Sequence, residues 1–259
     1  MTPDEGRGAW AEGRIVRIPS GDVALEAELV SPARARGLAL FAPGSGSGRR
    51  SPRNRRVARA LEDGGLATLL VDLLTPGEEA VDVRTTRLRF DIPLLARRLV
   101  GIVDWLAGEP DLAGLPVGLF GSSAGAGAAL VTAAYRPEAT FAVVSRGGRP
   151  DLAGPALARV RAPTLLIVGG DDPEVVALNR EAMTHLGGEA HLDVIPGAGH
   201  LFEEPGALET VAGLARDWFR RHLDGRRPAG PAGPPPTRAP HDRRARGSGG
   251  HLDASRGPG

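Results

Sequence analysis

From residue 38 to residue 222, apolar runs of strand length alternate with segments of helical period, and this alternation restricts the chain more than any other feature. Strands are expected near 14–18, 23–30, 38–42, 66–74, 116–120, 140–145, 164–168 and 191–195. Helices are expected at 52–63, 91–106, 124–135, 174–186 and 207–222. Strand-then-helix repetition forces crossover connections, and crossovers produce parallel strands whose two faces are both covered by helices. The fold class is therefore α/β, with a mostly parallel central sheet of about eight strands and helices on both faces. Roughly 210 residues suffice for one such sheet to bury about 70% of the unfolded surface.

The composition breaks at Gly225. From there to Gly259 the chain holds eight Gly, seven Pro and seven Arg, with almost no large apolar side chain. Such a segment cannot offset its ordering entropy, so residues 225–259 read as a disordered Pro/Gly/Arg-rich tail behind a domain of residues 1–224. Seven Arg against Asp242 and Asp253 give the tail +5, and the net +1 of the chain then leaves the domain at −4. Weak contact of the tail with nucleic acid is the most that this charge suggests. Residues 1–14 lack an apolar run, so no signal peptide of the usual form is expected and the cytoplasm is the expected compartment. The uncharged stretch 113–135 contains five Gly and one Pro and changes period midway, unlike a membrane span.

Sites in parallel α/β sheets lie beyond the carboxyl ends of the strands. After the strand ending at Phe120 comes Gly121-Ser122-Ser123-Ala124-Gly125, which opens a helix of small residues. This G-x-S-x-G sits between strand and helix, where a tight turn lifts Ser123 out of the sheet and only small neighbours fit. A phosphate loop would need a Lys, and all 32 basic residues are Arg. With no Cys in the chain, Ser123 is the candidate nucleophile. It needs a base and an orienting acid. His200, after Pro196-Gly197-Ala198-Gly199, is the His in a strand-end loop; Asp171-Asp172-Pro173 follows another strand. Asp172 is taken as the acid with Asp171 the alternative: Pro173 suits a first helical position and makes Asp172 a candidate N-cap, so that one Asp could cap the helix while the other orients the imidazole. The turn Pro43-Gly44-Ser45-Gly46 can aim a second backbone N–H at an oxyanion, alongside that of Ala124.

Together these four loops resemble the α/β-hydrolase superfamily, closest to its small dienelactone-hydrolase-like members. The runs Ser51-Pro52-Arg53-Asn54-Arg55, Arg89-Phe90-Asp91-Ile92 and Ser145-Arg146-Gly147-Gly148-Arg149-Pro150-Asp151 resemble a branch also found fused to a phosphoribosyltransferase domain, which is not expected in this chain. The resemblance covers about residues 38–223 and implies the α/β-hydrolase fold. It implies a serine hydrolase of ester, lactone or related acyl bonds, with Ser123, Asp172 and His200 as triad and Ala124 with Gly44 or Ser45 at the oxyanion. No metal or other cofactor is implied. Two departures are plain: dienelactone hydrolases proper use Cys where this chain has Ser123, and the His that often opens the oxyanion turn is Pro43 here.

About 18 residues separate Ser145 from Thr164, too few for a lid domain, so an open site for a small acyl substrate is expected. Arg49, Arg50, Arg53, Arg55 and Arg56 crowd a helix start that the macrodipole makes unfavourable for cations. Arg146 and Arg149 follow another strand on the same edge of the sheet. Two readings stand: Arg53, Arg146 and Arg149 bind a carboxylate or phosphate of the substrate, or they form a solvated Arg face. A non-catalytic hydrolase-fold binding or regulatory protein is the alternative function, and the oligomeric state is left open.

Overall fold

The computed structural model describes residues 13–44 and 47–225, so Ser45 and the 225–259 tail, apart from Gly225, lie outside the described residues. In chain order the elements are β1 (Arg14–Ser20), β2 (Val23–Val30), β3 (Leu38–Ala42), α1 (Pro52–Asp63), β4 (Ala67–Val71) and α2 (Pro76–Thr85). After a 3-10 turn at Leu88–Phe90 come α3 (Ile92–Gly108), β5 (Val117–Ser122), α4 (Ala124–Tyr135) and β6 (Thr140–Arg146). A 3-10 helix at Pro150–Arg159 leads to β7 (Thr164–Gly169), α5 (Pro173–His185), β8 (Ala190–Ile195) and α6 (Ala207–Asp224).

The eight strands form one sheet in the order β1-β2-β4-β3-β5-β6-β7-β8. β1 pairs antiparallel with β2, and β2 with β4; every later pairing is parallel. Each residue of β3, β5, β6 and β7 is buried, as strands covered on both faces must be. Alternation then splits the core in two. Leu38, Leu40 and Ala42 of β3 point to the cluster that holds α3 and α4, whereas Ala39 and Phe41 point to the cluster that holds α1 and α6. Phe41 and Phe120 meet across the second face at 4.8 Å between ring centroids. α4 is buried nearly all round, which accounts for its uniform apolar sequence without a membrane. Among the described residues, no helix is long and apolar enough to cross a bilayer.

The expected elements are present, and no lid domain stands between β6 and β7, where a 3-10 helix packs against α4 instead. One element differs from expectation. β4 ends at Val71 rather than at residue 74, and α2 follows it in a stretch, 75–90, for which no element was expected. Its sequence, PGEEAVDVRT, shows no apolar stripe, because the helix is held by ion pairs rather than by a packed face. Glu78 closes a capping box with Thr75 and pairs with Arg98 of α3, at 2.6 and 2.8 Å, while Arg98 also donates to the Leu73 carbonyl. Asp82 accepts from Arg89 at 2.6 Å.

Candidate active site

The carboxyl ends of β3, β4, β5, β6, β7 and β8 all open on one edge of the sheet, and Gly44, Ser123, Ala124, Arg146, Asp172 and His200 lie at those ends. Ser123 caps α4 with φ 49° and ψ −128°, a conformation that costs a non-glycine residue about 1–3 kcal/mol. Its surroundings fix that geometry. Ser123 N–H donates to the Arg146 carbonyl at 3.4 Å, and Ser123 O accepts from Ala126 N–H at 3.1 Å and Arg149 N–H at 3.0 Å. A Cβ on Gly121 would collide with the backbone of Ala126, and one on Gly125 with the carbonyls of Ala42 and Pro43. The two glycines of G-x-S-x-G are thus demanded by close packing of strand, helix and the β3 loop around the serine.

His200 lies on the loop after β8. Its Nδ1 stands 2.8 Å from Asp172 Oδ2, so the ring is oriented by that carboxylate and Nε2 is left for other work. Asp172 also accepts from Val175 N–H through Oδ1 at 3.4 Å, so one residue both caps α5 and holds the imidazole. The expected division of labour between two aspartates is therefore absent: the Asp171 backbone donates to the Ala198 carbonyl at 3.0 Å, and its side chain is exposed. Gly147, at φ 49°, sits between the elbow and this loop. A Cβ there would lie 3.0 Å from the His200 carbonyl and 3.7 Å from ring atom Cε1, which places the imidazole beside the strand end that binds Ser123 N–H.

Ala124 occupies the first helical position of α4, where a backbone N–H has no partner within the helix. Gly44 is pressed against the elbow: a Cβ on it would approach Ser123 Cβ and the Ser122 carbonyl to 2.8 Å. Its N–H, however, is engaged by Ser122 Oγ at 3.1 Å. Sequence reasoning missed this tether, although a buried hydroxyl at the second position of the elbow is the signal for it, since such a group needs a partner. A cleft of about 90 Å³ opens beside Gly44, walled by Pro43, Ser47, Leu73, Val83 and Arg89. α2 supplies part of that wall.

The arginines separate into two kinds. Arg49 pairs with Asp72 and Glu26, Arg55 with Glu28, and Arg56 with Glu209, so most of the cluster at the start of α1 belongs to a network with acids of β2, the β4 end and α6. Arg149 is taken up by Asp151 in a two-bond pair at 2.9 and 2.7 Å, and that carboxylate raises its pKa. Arg53 donates to Glu203 at 3.0 Å. Arg146 is different. It is 7% exposed, and burial foremost, then the charge of Arg53, push its pKa down to about 10. Among the described residues, no group of three or more His, Asp or Glu side chains is placed to hold a metal ion.

A sequence profile of the dienelactone hydrolase family matches residues 52–224. The chain is 58% identical to the dienelactone hydrolase of Anabaena variabilis, whose crystal structure superposes with a TM-score of 0.80 over 81% of this chain and 97% of that one. It is 56% identical over 215 residues to a putative phosphoribosyl transferase of Mycobacterium tuberculosis, covering 83% of this chain and 48% of the relative. The chain thus spans about half the length of the curated relatives it matches. The esterase Est1E of Butyrivibrio proteoclasticus shares the fold, with a TM-score of 0.67 at 15% identity. The chain belongs to the dienelactone hydrolase family of the α/β-hydrolase superfamily, hydrolases that act on ester and lactone bonds.

Proposed function

We propose that the chain cleaves a small ester or lactone by way of an acyl-enzyme, with Ser123 as nucleophile, His200 as base and Asp172 as the acid that orients it. Ser123 Oγ attacks the acyl carbon and its proton passes to His200 Nε2. Asp172 accepts from Nδ1–H, which fixes the tautomer and stabilises the imidazolium that forms. The carbonyl oxygen gains charge near the start of α4, where Ala124 N–H and the helix dipole favour an anion. The tetrahedral adduct collapses, the C–O bond to the leaving group breaks, and the leaving oxygen takes the proton from His200. Water then repeats the sequence on the acyl-enzyme: it gives His200 a proton, the bond to Oγ breaks, and the proton returns to Ser123.

The observation that carries this reading is the 2.8 Å contact of His200 Nδ1 with Asp172 on the same sheet edge that holds Ser123 in its strained turn. The second oxyanion donor comes from the turn after β3, which the bond from Gly44 N–H to Ser122 Oγ holds against the elbow. Steady-state hydrolysis of p-nitrophenyl acetate tests the proposal. Ser123→Ala is expected to lose about 10³-fold or more in kcat with its melting temperature kept. Unchanged turnover in a folded Ser123→Ala protein would refute it.

A further inference from the structure

The sheet ends in two edge strands, β1 and β8, and they are built differently. β1 carries Arg14, Arg17 and Pro19, the charges and the proline that blunt an edge against other strands. β8 is a regular run, AHLDVI, with no Pro, no Gly and no break in its register with β7. Its free backbone groups follow from the ladder. Thr164 N–H donates to the Glu189 carbonyl and Gly170 N–H to that of Ile195, so the odd-numbered residues of β8 turn their backbone groups towards β7. The N–H and carbonyl groups of Ala190, Leu192 and Val194 therefore point outwards, a row of donors and acceptors with no strand beside it among the described residues. The side chains along this row are open too: Val194 is 37% exposed and the His191 side chain 60%.

A second copy of β8 completes that row best in one register. Two such strands related by a two-fold axis run antiparallel, and outward-pointing residues must face outward-pointing residues to exchange both bonds. An axis at Leu192 meets this condition, opposing Leu192 to its own copy and Ala190 to Val194. The same axis sets His191 of each strand directly opposite Asp193 of the other, in the closely spaced class of pair, where opposite charges attract and like charges repel. An axis at His191 or at Asp193 would set like residue against like and shorten the ladder. Within one chain His191 Nε2 already stands 3.5 Å from Asp193 Oδ1, as two residues on one face of a strand can, so the complementary groups lie at the same level of the edge.

We infer that the chain self-associates through β8, two sheets joining edge to edge about a two-fold axis at Leu192. The seam is short, so the association belongs to the weak, transient class of interface and is expected at micromolar rather than nanomolar concentrations. It does not depend on the reading of Ser123.

The test uses the full chain, with sedimentation equilibrium and amide hydrogen exchange followed over rising concentration. Monomer is expected to pass into dimer, and the amides of Ala190, Leu192 and Val194 to gain protection in step. His191→Asp, which sets carboxylate against carboxylate at two symmetry-related places, should raise the dimer Kd by about tenfold or more. The double variant His191→Asp/Asp193→His should restore it, because the pairs are only reversed. Since the chain has no Cys, cross-linking reads the register. A His191→Cys chain mixed with an Asp193→Cys chain should oxidise to a disulfide-linked heterodimer, because the paired Cα atoms would lie about 4.5 Å apart, within disulfide reach. Neither variant alone should cross-link to a comparable extent. A chain that stays monomeric at about 0.5 mM would overturn the seam, since even a transient interface populates its dimer there. So would a dimer that folded His191→Asp does not weaken or the double variant does not restore, or Cys chains that cross-link no better mixed than alone. Protection of the three amides at every concentration would also overturn it, by showing that another segment of the chain holds the edge.

Discussion

Asp172 carries two duties that substitution can separate. Its Oδ2 holds His200 at 2.8 Å, while its Oδ1 accepts from Val175 N–H at 3.4 Å. Asn is as good a helix cap as Asp, so Asp172→Asn keeps the α5 start. The cap bond is long, and its loss in Asp172→Ala is worth about 1 kcal/mol, or roughly 2–4 °C in melting temperature for a domain of this size. The imidazole duty is different in kind. An amide in place of the carboxylate favours the wrong tautomer and leaves the imidazolium unsupported, which lowers kcat by about 10⁴-fold in serine triads. The account thus predicts that Asp172→Asn melts within about a degree of wild type yet loses nearly all ester hydrolysis. Asp172→Ala should lose both, and Asp171→Asn, altered at an exposed side chain, should lose neither. Melting curves and p-nitrophenyl acetate kinetics on the three proteins settle it. An active Asp172→Asn beside a crippled Asp171→Asn would show that the two aspartates exchange roles and that the geometry around His200 is misread.

Two further outcomes follow from the same geometry. Ser122→Ala removes the acceptor of the Gly44 N–H, so the β3 loop loses its tether to the elbow; kcat should fall several-fold with little change in KM, at a stability cost of about 1–3 kcal/mol, whereas unchanged kinetics would show that the loop is placed by other contacts. Glu78 is held at a pKa of about 2, below its ordinary 4.5, chiefly by the Arg98 guanidinium. A carboxylate with a depressed pKa stabilises the fold above its unfolded value, and that contribution fades as pH falls from 4.5 to 2. Glu78→Gln, which can still close the capping box, should therefore be less stable than wild type by about 2 kcal/mol at pH 7. The two denaturation curves should converge over that acid window, and a constant gap would refute the assignment.

Much of this was legible in the sequence because it is written in local pattern. The period of the apolar residues announces the sheet, and G-x-S-x-G between strand and helix announces the turn that the close approach of Ala126, Ala42 and Pro43 makes necessary. What stayed hidden depends on contacts remote in the chain. The acids that neutralise Arg49 and Arg55 lie on β2 and after β4, 23 and 27 residues away, so the cluster could not be told from an anion site until the fold brought Glu26, Glu28 and Asp72 alongside. α2 was overlooked because it has no apolar stripe, although Thr75, Pro76 and Glu78 spell a capped helix start. That Asp172 serves as both cap and orienter is a matter of which oxygen faces which partner, and no spacing rule reveals it.

The central claim is that Ser123 is a nucleophile activated by His200. Active-site labelling tests it most directly: the full chain is incubated with a fluorophosphonate, its intact mass is measured, and the modified peptide is sequenced. The account predicts one adduct per chain, located on Ser123, absent in Ser123→Ala and formed far more slowly in His200→Ala. No adduct on the folded wild-type protein, or an adduct that persists in Ser123→Ala, would contradict it.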